Sequence, residues 1–205
     1  MFTDMATRTY QKKRRAEQEA ETRQRIVEAM VALHREVGPA RTTISAIAER
    51  AGVERLTVYR HFPDETAMFQ ACTTHYAMEV PGPDPADWAG IEEPAERLRA
   101  ALLAFYHYYR RAEDVLTHAV RDVPQLPALA AVLAPWSRFV EEVRKDLQAG
   151  WRARGRVRSR RLAGAIGHAL SFDTWRSLAR VEGLDDGEVA ALMVNLARAA
   201  ASSTD

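Results

Sequence analysis

Residues 43–62 read Thr43-Ile44-Ser45-Ala46-Ile47-Ala48-Glu49-Arg50-Ala51-Gly52-Val53-Glu54-Arg55-Leu56-Thr57-Val58-Tyr59-Arg60-His61-Phe62, and this stretch decides the fold. Thr43 is a capping type of residue, and Ile44, Ile47, Ala48 and Ala51 follow it at helical spacing, which predicts a short helix. Gly52 then sits where a chain reversal needs a residue tolerant of positive φ. A second short helix is expected from about Glu54 to His61, with Val58 on its inner side and an end near Phe62-Pro63. Two short helices that cross steeply need a small residue at the contact, here Ala48, and apolar anchors, here Ile47, Val53 and Val58. The outer face of the second helix carries Arg55, Leu56, Thr57, Tyr59, Arg60 and His61, a set able to reach both base edges and phosphates.

Working outward, Ile26, Met30, Leu33 and Val37 form one apolar stripe of an upstream helix that Gly38-Pro39 stops. Downstream, Asp64 can cap a fourth helix through Met68, Phe69, Cys72 and Tyr76, before Pro81-Gly82-Pro83-Asp84-Pro85 breaks regular structure and marks a domain boundary. Beyond it, Ala95 to Tyr109 and Leu129 to Leu147 keep helical spacing. Residues 162–181 are apolar on two sides, which predicts one helix that buries both. A last helix runs over about 186–200, with Asp185 and Asp186 as capping residues. No alternating strand is legible. The expected fold is all-α with about nine helices, four of them before the proline-rich break.

The pattern Thr-x-x-x-Ile-Ala-x-x-Ala-Gly-Val-x-x-x-Thr-x-Tyr-x-x-Phe, met from Thr43 to Phe62, resembles the helix-turn-helix DNA-binding domain of the TetR family of bacterial transcriptional regulators. The resemblance covers about residues 20–80. It implies that Thr43 and Tyr59 touch phosphates, that Arg55, Leu56 and Thr57 face bases, and that His61 reaches the DNA backbone near the helix end. It also implies a C-terminal helical domain that binds a small-molecule effector and pairs with a second copy of the chain. The DNA-binding domain is then 20–80 and the effector-binding and dimerisation domain 86–205. Glu54, Leu56 and Glu65 depart from the commoner family residues. Glu65 replaces a phosphate-seeking lysine, while Leu56 can meet a thymine methyl group.

Charge is finely rather than globally distributed. The 205 residues carry 29 Lys and Arg against 28 Asp and Glu, a net charge of +1, so nothing in the total invites nucleic acid. Two stretches are basic and acid-free, Arg8 to Arg15 and Arg152 to Arg161. Residues 1–19 are expected as a flexible basic arm that neutralises phosphates or enters the minor groove, the alternative being a solvated tail. The longest apolar run, Leu126 to Trp136, is too short to span a membrane and contains two prolines, and the polar, Glu-rich start lacks the apolar core of a secretion signal. A cytoplasmic protein is expected. Cys72 is the only cysteine and reads as a small buried hydrophobe.

The candidate effector site is aromatic: Phe105, Tyr109, Trp136, Phe139, Phe172 and Trp175, with Tyr106 beside them and His107, His118 and His168 as polar contacts. The same rings at helical spacing also serve as core packing. Ligand entry is expected to move the fourth helix and weaken DNA binding. No cofactor, metal or catalytic residue is expected. The six histidines never recur three or four residues apart, and Gly150 to Val157 lacks the Lys and Ser/Thr of a phosphate loop. The expected function is a sequence-specific regulator, a repressor released from a palindromic operator by an effector. An architectural or non-specific DNA binder without effector is the alternative.

Overall fold

From Phe2 to Val37 no glycine or proline interrupts the chain, and Gln, Lys, Arg, Glu and Ala, all good helix formers, dominate residues 11–25. In the computed structural model, which describes residues 2–153 and 155–202 and the side chains from Tyr10 onward, this stretch is one helix, α1 (Phe2–Glu36). The stretch expected as a flexible arm, 1–19, is therefore helical from Phe2, with Lys13 and Glu17 paired one turn apart. The side chain of Arg8, and Arg154 of the second basic stretch, lie outside the described residues.

The helices that follow are α2 (Ile44–Ala51), α3 (Arg55–His61), α4 (Glu65–Glu79), α5 (Ala86–Ala89), α6 (Pro94–Asp122), α7 (Pro127–Ala149), α8 (Arg156–Ala169), α9 (Phe172–Arg176) and α10 (Asp186–Ser202). The described residues hold no strand. Contacts divide the chain into two units, residues 1–79 with 117–132, and residues 80–116 with 133–205. Residues 117–132, read above as part of 86–205, thus group with the N-terminal segment. Among the described residues no helix is long and apolar enough to cross a membrane.

In the first unit Ile26, Met30 and Leu33 of α1 close over Ile47, Ala48 and Ala51 of α2, Val58 of α3, and Met68, Phe69 and Cys72 of α4. Burial pushes the Cys72 thiol up to about 12, which keeps it protonated and unreactive. In the second unit Leu98, Leu102, Phe105, Tyr106 and Tyr109 of α6 meet Leu147 of α7, Leu162 and Ile166 of α8, Trp175 of α9, and Val189 and Met193 of α10 in one core.

The structure has ten α-helices rather than about nine. The tetrapeptide α5 forms directly behind Pro85, and the single helix expected over 162–181 is divided. α8 stops at Ala169 because the buried hydroxyls of Tyr106 and Tyr109 donate to the carbonyls of Ala169 (2.9 Å) and Leu170 (2.5 Å). Those carbonyls no longer need the amides of a continuing helix. The chain restarts as α9 behind Ser171 and runs on as a π-helical stretch, Ser177–Val181.

Candidate nucleic-acid interface

Thr43 is exposed, and its Oγ1 accepts the Ala46 amide at 3.1 Å, capping α2 as expected. The cap uses a lone pair, so the hydroxyl proton remains available to a phosphate oxygen. Gly52 takes the left-handed conformation at φ 64°, its amide folding back on α2, while the Val53 amide donates to the Ala48 carbonyl at 2.9 Å. That tight closure aims α3.

α3 is held by one apolar anchor. Val58 is fully buried, worth about 1.5–3 kcal/mol, and Phe62 just past the helix end is buried with the Arg23 guanidinium 4.8 Å over its ring. The opposite face stays open. Arg55 and Arg60 are exposed, and Leu56 and Tyr59 are 80% and 46% exposed. Among the described residues Arg55 and Arg60 have no ion-pair partner, whereas Arg50 of α2 is committed to Glu36 through two hydrogen bonds. Thr57 and His61 are half-buried, and the His61 Nε2 is enclosed without a hydrogen-bond partner, so this nitrogen is not free to meet a phosphate. At the start of α4 the Asp64 carboxylate accepts the Ala67 amide at 2.8 Å and Glu65 is exposed. Both suit a helix N-terminus and oppose an anion there.

A latch that sequence reading missed fixes the approach to α2. Gly38 adopts φ 91°, and the carboxylate of Asp122, only 2% exposed, accepts the Ala40 amide at 3.0 Å. Arg121 donates to that carboxylate (Nε, 2.7 Å) and to the Val37 carbonyl (3.0 Å). These bonds hold the Asp122 carboxyl below its usual range, with burial opposing them. The only local signal was Gly38 itself. Nothing in the sequence pairs it with residues more than eighty positions away.

The aromatic candidates lie in the second unit. Phe105 contacts Tyr109, Trp136 and a stacked Phe139 with ring centroids 5.9–6.2 Å apart, and Tyr109 meets Phe172 edge-on at 5.5 Å and Trp175 at 6.0 Å. Six of the eight proposed ligand residues thus form one network. His168 is exposed and bonded to Thr174, and His118 belongs to the first unit, beside Gly38. Among the described residues no group of three His, Cys, Asp or Glu side chains could hold a metal ion.

Residues 26–72 match the profile of the bacterial regulatory proteins, tetR family. Over 123 residues the chain is 38% identical to the nucleoid occlusion factor SlmA of Haemophilus influenzae (strain PittGG), a match covering 60% of this chain and 50% of the relative. The chain spans about half the length of the curated relatives it matches. A TetR-like transcriptional regulator from Rhodococcus sp. RHA1 has a similar fold, with a TM-score of 0.63 at 20% identity over 89% of this chain and 97% of that one. The fatty acid degradation regulator FadR from Bacillus halodurans matches at 0.51 and 14% identity, over 88% of this chain and 95% of the other. At these identities the likeness is one of fold.

Proposed function

We propose that this chain, a member of the tetR family of bacterial regulatory proteins, is a cytoplasmic repressor that binds a palindromic operator as a homodimer and leaves it when a small molecule binds. The observation that carries the reading is the division of α3: one buried anchor, Val58, opposite an open face of Arg55, Leu56, Tyr59 and Arg60. A helix held so lightly on one side is free to enter a major groove on the other. Thr43 and Tyr59 then position the unit on phosphates, and Arg55, Leu56 and Thr57 read bases. Two copies about one helical turn of DNA apart would double the contacts and multiply the discrimination.

The effector is apolar or aromatic and contacts the Phe105 to Trp175 network, with Tyr109, Trp136, Phe139, Phe172 and His168 as its other partners and His118 as a polar residue of the response. An effector that prefers the non-binding state by 1–3 kcal/mol lowers operator affinity about 5–150-fold. Catalysis has no part in this reading.

Selection of bound sequences from a random duplex pool supplies the operator, and Arg55→Ala then tests α3. The expected result is a loss of about 1–3 kcal/mol confined to one base pair of each half-site. A uniform loss across all sequences would remove Arg55 from base reading. The second reading, a DNA binder without effector, gains support from relatives named as nucleoid occlusion factors. It predicts steep salt dependence with little sequence preference, against a preference of about 10³-fold or more for a specific regulator.

A further inference from the structure

α1 is longer than its packed length. Its buried residues begin at Ile26, and from Tyr10 to Arg25 none is buried, so about 24 Å of helix stands clear of the first unit. The free part departs beside α3: Arg25 donates to the carbonyl of Ala51, just before the turn into that helix, and Arg23 lies over Phe62, just after it. Lys12, Lys13, Arg14 and Arg15 occupy one complete turn of the free part. At 100° per residue four consecutive cations cover every side of the helix, so about two of them face any surface alongside. Lys13 has a loose partner in Glu17 at 3.9 Å, both largely exposed, and Lys12, Arg14 and Arg15 have no ion pair among the described residues. Glu17, Glu19 and Glu21, nearer the body, keep attraction to a polyanion concentrated at the far turn.

We propose that the Lys12–Arg15 turn is a second DNA-contacting surface, which neutralises phosphates of the duplex flanking the bases read by α3. The inference rests on the reading of α3 as the recognition helix. The turn lies 11–14 residues before Ile26, about 17–21 Å along the helix, or roughly five to six base-pair rises. A helix 10–12 Å across is too thick for a minor groove about 6 Å wide, so it lies along the sugar-phosphate backbone instead of entering as a thread.

The test uses the whole chain carrying Lys12→Gln, Lys13→Gln, Arg14→Gln and Arg15→Gln, since glutamine keeps helix propensity while removing charge. Affinity is measured against salt on two duplexes, the selected operator alone and the operator with about ten flanking base pairs on each side. On the longer duplex the slope of log K against log salt is expected to become shallower by about 2 per chain, near 0.9 for each phosphate released. On the short duplex, wild type and variant should agree, and the operator-to-random ratio should be unchanged. A control with Lys12→Arg, Lys13→Arg, Arg14→Lys and Arg15→Lys should retain the wild-type slope. Equal slopes for wild type and the glutamine variant on the longer duplex, or an equal change on both duplexes, would overturn the flanking contact. A wild type without sequence preference would instead sink the reading of α3, and this inference with it.

Discussion

Gly38 stands at φ 91° where a β-carbon would overlap the Arg121 guanidinium and lie 2.7 Å from the Asp122 carboxylate. Gly38→Ala is therefore expected to cost about 2 kcal/mol or more, from backbone strain and from pushing the latch aside. Asp122→Ala should cost about 1–3 kcal/mol, since it leaves the Ala40 amide without its acceptor. Urea midpoints measure both, and a wild-type midpoint in either variant would show that the latch is not stabilising. His34, buried beside this corner, adds a pH dependence. Burial pushes its imidazole from 6.5 down to about 4, with the Asp122 charge pulling the other way. Between those values the unfolded chain binds the proton and the folded chain does not. Stability is thus complete above pH 6.5 and declines as pH falls toward 4, by up to roughly 3 kcal/mol. His34→Gln should flatten the difference between pH 7 and pH 5, and an undiminished difference would place it elsewhere.

The helix starts were legible in the sequence because caps are local. Thr43, Asp64 and Asp185 each bond an amide three residues on, and Glu188 returns the bond to the Asp185 amide at 2.8 Å, closing a capping box. Thr43→Ala should cost about 1 kcal/mol of stability. If Thr43 also contacts phosphate, operator affinity will fall further than unfolding explains, which a binding titration at fixed folded fraction separates. The break after Ala169 was not legible, because the groups that cause it sit on α6, more than sixty residues away, and no glycine or proline marks Leu170 or Ser171. Tyr109→Phe removes one of those hydroxyls and leaves the Leu170 carbonyl unsatisfied. The expected loss is about 1–3 kcal/mol, read as a lower urea midpoint. An unchanged midpoint would mean that the hydroxyl does not stabilise the break.

For the whole molecule, the proposed homodimer makes its demand on α10, where Leu192 and Leu196 lie one turn apart and remain 46% and 42% exposed while Val189 and Met193 are buried. Large apolar side chains left open in this spacing suit a helix that packs on two sides. Leu192→Glu with Leu196→Glu should yield a monomer in sedimentation and weaken operator binding, while a dimer that survives both changes would move the interface elsewhere. At this scale the reach of the amino-acid order is clear. Helical periodicity, the turn at Gly52 and the open face of α3 follow from neighbours within a few positions, so the all-α class and the recognition unit could be read directly. The helical state of residues 2–19 was locally encoded too, in an uninterrupted run of helix formers, and was underestimated because charge had suggested an arm. The Gly38 latch, the division of α8 from α9 and the assignment of residues 117–132 to the first unit arise from contacts between distant segments. Such contacts depend on which buried amide or carbonyl finds a partner after collapse, and short-range pattern carries no record of that choice.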